Sequence, residues 1–357
     1  MPRPEALPGL PGPQAVDEPV LVWRVGALAR IRLNRPKALN SLTLPMVRII
    51  AAALDAIEAD PSLAAVLVDG AGERGFCAGG DIRAVHDSGR AGDGIAEAFW
   101  RVEYEVNDRI AAFGKPYVAL MDGITMGGGV GLSAHSSNRV VTERTRLAMP
   151  ETGIGFIPDV GGTWLLARAP GETGSYLGLS GQSIGAADAI FAGFADVLVP
   201  SEALGVLAEA LEALPAGATA ADVNAVIGRF AKPAGPAPLQ ANQAVIDRTF
   251  SFDEVPAILA ALRADGSDFA LEAAEIIGQR SPTSVVVTLA LLRLARTAPS
   301  LRACLDREYV AACQTLRGHD FYEGVRAAVI DKDRQPRWQP ATIAEVTPAI
   351  VEAHLAD

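Results

Sequence analysis

The chain has 357 residues, 50% hydrophobic and 20% charged, so it can bury a large core in one large domain or two moderate ones. Its formal net charge of −11 argues against a general affinity for nucleic acid, whose binding proteins carry a basic footprint. Three cysteines, Cys77, Cys304 and Cys313, are spaced for neither a disulfide framework nor a zinc site, which points to a reducing, cytoplasmic compartment.

Residues 1–19 hold six prolines, three acids and no apolar run. They resemble neither a secretory signal nor an Arg-rich transit peptide and read as a disordered lead-in. From residue 20 to about 200, strands alternate with helices. VLVWRV and LARIRL come first, then a helix from about Thr43, then AAVLVDG and PYVALMDG. In that helix Met46, Ile49, Ile50, Ala53, Leu54 and Ile57 recur at helical spacing, Pro45 sits in the first turn, and Asp60-Pro61 ends it. This order, with glycine-rich turns between elements, predicts an α/β domain over 20–200. Between Pro19 and Asp55, Arg24, Arg30, Arg32, Arg35, Lys37 and Arg48 occur with no Asp or Glu among them, forming either a patch for an anionic ligand or the solvated sides of strands and turns. After Ser201 the segments EALGVLAEALEAL, EVPAILAALRA, FALEAAEIIGQR and TSVVVTLALLRLA predict an α-helical region over 201–357, with AKPAGPAPL as a connection. No stretch is long and apolar enough to read as a membrane span.

The chemistry concentrates in three segments: FCAGGD at 76–81, ITMGGGVG at 124–131, and PETGIGFIPDVGG at 150–162 with Glu151 and Asp159. Two glycine-rich turns offer backbone N–H groups to a developing oxyanion, and the carboxylates can move a proton or attack a carbonyl, a combination suited to acyl thioesters. Each acid also has a purely structural reading. Asp159 can cap the helix at VGGTWLLAR, Glu151 can be a surface acid at a strand end, and Glu103 can be the exposed partner of Arg101 or Asn107. Spacing alone favours that exposed role for Glu103. Ser133 and Ser180 lack a nucleophile-elbow context, no G-x-G-x-x-G ends a strand, and His86, His135, His319 and His354 form no metal-ligand pair. Cys77 reads as a small buried hydrophobe.

LNRPKALNSL (33–42), FCAGGDI (76–82), KPYVALMDGITMGGGVGLS (115–133), MPETGIGFIPDVGGTWLL (149–166), SPTSVVVTL (281–289) and RGHDFYEGVRAAVIDKD (317–333) together resemble the enoyl-CoA hydratase/isomerase (crotonase) superfamily. More narrowly, they are similar to its 3-hydroxyisobutyryl-CoA hydrolases. The resemblance spans about residues 20–340 and implies a crotonase (ClpP-like) ββα superhelix core with an α-helical C-terminal region. It implies an acyl-CoA substrate, Gly80 and Gly128 as the oxyanion hole, and Glu151 and Asp159 as catalytic acids. Glu103 becomes a substrate contact, against its spacing. Arg35, Lys37, Ala38 and Lys332 become candidates for holding CoA. It implies no separate cofactor or metal, no nucleic-acid or membrane partner, and leaves monomer and homo-oligomer open. One departure is informative: where enoyl-CoA hydratases carry a second glutamate, this chain has Gly131, and an acid appears instead at Asp159. Dienoyl-CoA isomerases share that second acid. A non-catalytic acyl-CoA-binding protein on the same fold is the alternative of a different class.

Overall fold

The computed structural model describes residues 4–356. Among the described residues ten strands form two sheets. The larger contains β1 (Glu5–Ala6), β2 (Val20–Val25), β3 (Leu28–Leu33), β4 (Ala65–Gly70), β6 (Tyr117–Met121), β8 (Asn138–Val141) and β10 (Val197–Leu198), in the order β1-β2-β3-β4-β6-β8-β10. The smaller contains β5 (Gly75–Cys77), β7 (Ile124–Met126) and β9 (Arg146–Ala148), in the order β5-β7-β9. From β3 to β10 the pairing is parallel, and all three small-sheet strands are parallel to one another. Parallel strands are covered on both faces, which is why AVLVDG and YVALM read as continuous apolar runs rather than alternations.

The repeating unit is visible in chain order. β4 is followed by β5, β6 by β7 and β8 by β9, so each turn of the chain adds one strand to each sheet before a helix returns it. The returning helices are α2 (Ile82–Ala91) with α3 (Ile95–Ala111), then α4 (Gly128–Ser133), then a 3₁₀ turn (Glu151–Ile154) leading to α5 (Gly162–Leu166). This stacked ββα arrangement aligns the segments that leave β5, β7 and β9. The helix predicted from Thr43 is α1 (Leu44–Ala59), with Met46, Ile50, Ala53, Leu54 and Ile57 buried. Beyond β10 the described elements are helical, including Pro282–Arg296, Leu301–Thr315 and Asp320–Val325.

Over its described residues, 4–19, the lead-in departs from the expected disorder, and residues 1–3 lie outside the described residues. Glu5 and Ala6 pair antiparallel with Arg24 and Trp23, Leu7 is buried, and the Pro11 carbonyl accepts from Val22 N–H at 2.6 Å. Proline cannot donate to a ladder but keeps its carbonyl, so a proline-rich segment can lie along a sheet edge as a short, interrupted strand. The basic stretch also departs from a free anion patch. Arg24 pairs with Asp60, Arg30 with Asp69 and Glu212, Arg32 with Asp69, and Arg35 with Asp81. The absence of local acids in the sequence concealed partners brought in from later segments.

Candidate active site

Gly80 lies three residues past β5, Gly128 two past β7 and Glu151 three past β9, so the ββα stacking alone converges the three sequence motifs. They line one cavity of about 120 Å³ together with Glu103, Asp159, Phe99, Trp100, Ile154 and Phe156. The loop carrying Arg35 supports it: Leu42 donates to Gly79 O, Asp81 donates back to Leu42 O, and Ala78 donates to Leu39 O.

The two glycine turns approach closely. A Cβ placed on Gly128 would lie 3.4 Å from Gly80 N and only 2.5 Å from Glu103 Oε1. Neither the Gly80 nor the Gly128 backbone N–H has a hydrogen-bond acceptor among the described residues. Gly128 begins α4, where the first N–H groups have no acceptor within the helix and the dipole favours negative charge. Gly127, at φ +48, faces Glu151, whose Oε1 would be 3.0 Å from an added Cβ.

Glu103, Glu151 and Asp159 are each at least 94% shielded from solvent, which excludes surface roles for all three. Glu103 projects from the buried face of α3 with Phe99, Trp100 and Asn107, while Arg101 instead donates to Tyr309 Oη at 2.8 Å. One oxygen each of Glu103 and Glu151 is buried without a partner. Buried carboxylates left unpaired are costly unless they serve another purpose. Burial, reinforced by Asp159 and Glu151, raises the Glu103 pKa well above the ordinary range. Burial and the Asp159 charge do the same to Glu151. Burial pushes Asp159 up to about 7 even though Tyr104 donates to its Oδ2 at 2.7 Å and pulls the other way.

The capping role for Asp159 does not occur. The N-cap of α5 is Gly161, without a side-chain cap. Glu308, from the helix Leu301–Thr315, takes that role instead. Its carboxyl group accepts from Gly161 N at 2.7 Å, Thr163 N at 2.9 Å and Thr163 Oγ1 at 2.5 Å. Burial pushes Glu308 up to about 8, opposed by those donors. Tyr104 and Glu308 were not singled out from the sequence, and His135, considered there only as a metal ligand, has its Nε2 2.8 Å from Val160 O.

Of the CoA-binding candidates, Arg35 is tied to Asp81 and to the Ser41 carbonyl beside the Gly80 turn, while Lys37 and Ala38 are exposed on a 3₁₀ turn. Lys332 is exposed in a left-handed conformation at φ +59 and does not line the cavity. Cys77 is buried, and burial pushes its thiol up to about 12, which removes it as a nucleophile. Among the described residues no three His, Cys, Asp or Glu side chains are arranged to hold a metal ion, and no helix is long and apolar enough to cross a membrane.

Position 131 is filled from both sides. A Cβ there would lie 2.7 Å from Val160 Cβ and 2.8 Å from Asn107 Nδ2, so a glutamate has no room without moving the backbone that carries Asp159.

The raised acids set a pH dependence. Turnover that needs ionised carboxylates should rise with pH through the neutral range rather than level off near pH 5, as a pH–rate profile would show. The stability sign is opposite: between 3.8, the ordinary value, and about 7, folded Asp159 holds more proton than the unfolded chain, so its contribution falls as pH rises. Thermal melts of wild type and Asp159→Asn should therefore diverge in favour of the variant as pH rises from about 4 to about 7 and stay apart above that.

A family model described as enoyl-CoA hydratase/isomerase matches residues 28–355. The chain is 44% identical over 342 residues to a 3-hydroxyisobutyryl-CoA hydrolase, mitochondrial, of Xenopus tropicalis, covering 95% of this chain and 89% of that protein. It is 42% identical to the protein of the same name from Homo sapiens, covering 94% and 88%. These relatives are named for mitochondria, which does not match the cytoplasmic expectation. Among solved structures, a carnitinyl-CoA dehydratase from Mycobacterium thermoresistibile superposes with a TM-score of 0.90 at 47% identity, covering 96% of this chain and 97% of that one. An enoyl-CoA hydratase from Rhodobacter sphaeroides 2.4.1 gives 0.85 at 46%, covering 95% and 97%. With the motif-bearing turns converging on one cavity and the match running through the C-terminal helices, the chain belongs to the enoyl-CoA hydratase/isomerase family.

Proposed function

We propose that this protein is an acyl-CoA thioester hydrolase that converts 3-hydroxyisobutyryl-CoA and water to 3-hydroxyisobutyrate and CoA, a step of valine breakdown. The observation that carries this reading is the pairing of Glu151 with Asp159 in one cavity, while the space of a second hydratase glutamate is occupied by Val160 and Asn107. The similarity to hydrolases over nearly the whole chain supports it.

The thioester carbonyl oxygen would lie between the free N–H groups of Gly80 and Gly128, where one such donor is worth roughly 2.7–4 kcal/mol in a well-studied hole. Two routes are open to Glu151. Its carboxylate attacks the carbonyl carbon, the C–S bond breaks, CoA leaves as a thiolate that takes up a proton, and water opens the mixed anhydride. Alternatively it takes a proton from water as that water attacks directly. Both require an ionised Glu151. Asp159 and Glu103 orient the substrate hydroxyl or the water. The apolar wall of Trp100 and Phe156, stacked at 5.3 Å between centroids, limits the size of the acyl group.

Thiol release from 3-hydroxyisobutyryl-CoA tests the reading through Asp159→Asn. Asn keeps the side chain's size and an oxygen that can accept from Tyr104, so the fold survives while the charge is lost. Turnover should fall by at least about tenfold with the fold intact. Wild-type turnover in that variant would remove Asp159 from the chemistry.

A further inference from the structure

Val160 is buried, β-branched and held at φ +55, followed by Gly161 at φ +76. A left-handed Val is strained and persists only where its surroundings over-determine it. Two buried groups, Tyr104 and Glu308, and the partly buried His135 do so here. Tyr104 Oη donates to Asp159 on one side of the turn. Glu308 accepts from Gly161 N and from both the backbone N–H and the hydroxyl of Thr163 on the other side. His135, which burial keeps neutral by pushing its pKa down to about 4, donates through Nε2–H to the Val160 carbonyl. Val160 itself fills the space at Gly131. Of these residues only Asp159 lines the cavity.

We propose that Glu308, outside the cavity on the helix Leu301–Thr315, is a positioning residue for Asp159: with Tyr104 it clamps the strained Val160–Gly161 turn so that the Asp159 carboxyl group faces the space shared with Glu103 and Glu151. The helical C-terminal region thereby reaches into the chemistry through a hydrogen-bonded backbone rather than through a substrate contact. A left-handed turn without this grip would relax toward ordinary φ and rotate Asp159 away. The inference rests on the reading that Asp159 serves the reaction.

The charged and titratable groups around Asp159 are Glu103 and Tyr104 from α3, Glu151 from the 3₁₀ turn, and Glu308 from its helix, with neutral His135 at the next carbonyl. Tyr104 is the group whose hydrogen bond holds the Asp159 pKa down. Its loss therefore moves the acidic limb of the rate profile upward.

The test is a double-mutant cycle on thiol release with 3-hydroxyisobutyryl-CoA, using Glu308→Ala, Asp159→Ala and their combination. Glu308→Ala should lower kcat roughly tenfold to a hundredfold with KM changed by less than about threefold, the scale of misplacing a catalytic group. In the Asp159→Ala background the same change should cost less than about twofold, because there is then no carboxyl group to misplace. An undiminished loss in that background would overturn the proposal and leave Glu308 a fold-stabilising cap. If Glu308→Ala does not fold, Glu308→Gln, which keeps the size and an acceptor oxygen, takes its place under the same criterion. Independently, Tyr104→Phe should lower kcat and shift the acidic limb to higher pH, and an unchanged limb and kcat would overturn the clamp. Wild-type kcat in Asp159→Ala alone would defeat both this inference and the role of Asp159, whereas a slow Asp159→Ala with a multiplicative Glu308 effect defeats only this one.

Discussion

Glu151→Gln should reduce turnover of 3-hydroxyisobutyryl-CoA by at least roughly two orders of magnitude, the scale of general acid–base assistance, while changing substrate affinity much less. Glutamine keeps the shape and one acceptor oxygen but has neither a nucleophilic anion nor a base, so both routes open to Glu151 fail together. The fold should tolerate the change well. Glu151 Oε2 has no partner to lose, and a neutral amide removes a carboxyl group that burial and Asp159 already disfavour as an anion. Steady-state kinetics beside a thermal melt would check both halves: a large drop in kcat with an equal or higher Tm is expected. A kcat within about threefold of wild type would show that Glu151 is not the acid that turns over the thioester.

Gly128→Val acts on the other half of the site. Its Cβ would meet Glu103 Oε1 at 2.5 Å and Leu42 Cδ1 at 3.0 Å, and its branches would stand beside Gly80 N. The backbone at Gly128 is helical, so the damage arises from lost space rather than from an unfavourable φ. Loss of carbonyl access to the two N–H groups should lower kcat/KM by at least about a hundredfold, through both KM and kcat, the size of effect seen on removing one oxyanion donor. Unchanged kinetics in a folded Gly128→Val protein would reduce the glycine triplet to a structural turn.

Much of this site was legible in the sequence because glycine and carboxylate motifs follow strands, and parallel ββα stacking aligns whatever follows each strand. Two acids were harder to read. Glu103 looked exposed when only its charged neighbours were considered, yet Ala96, Phe99, Trp100, Tyr104, Asn107 and Ile110 recur at helical spacing around it, marking the buried face. Glu308 carries the same signature, an acid on the stripe Leu301, Cys304, Leu305, Ala311, Ala312 and Thr315. An acid on an apolar helical stripe was the available signal in both places. The identity of its partner was not available, because Glu308 reaches Gly161 across 147 residues of chain. For the same reason the arginines of β3 looked unpaired: Asp69 and Glu212 come from a parallel neighbour and a distant helix. The lead-in was misread because proline content signals a poor strand former, whereas an edge needs only a few carbonyls and one buried leucine.

On the proposed reading, one carboxylate pair in this cavity serves hydrolysis of a thioester rather than addition of water to a double bond. The most direct measurement compares two rates on the same preparation: thiol release from 3-hydroxyisobutyryl-CoA, and ultraviolet loss of the enoyl chromophore of crotonyl-CoA. With Val160 and Asn107 occupying the space beside Gly131, thiol release should exceed hydration by at least about a hundredfold, the contribution of one missing acid–base group. Hydration as fast as thiol release would contradict the account and return the chain to the hydratase branch of its family.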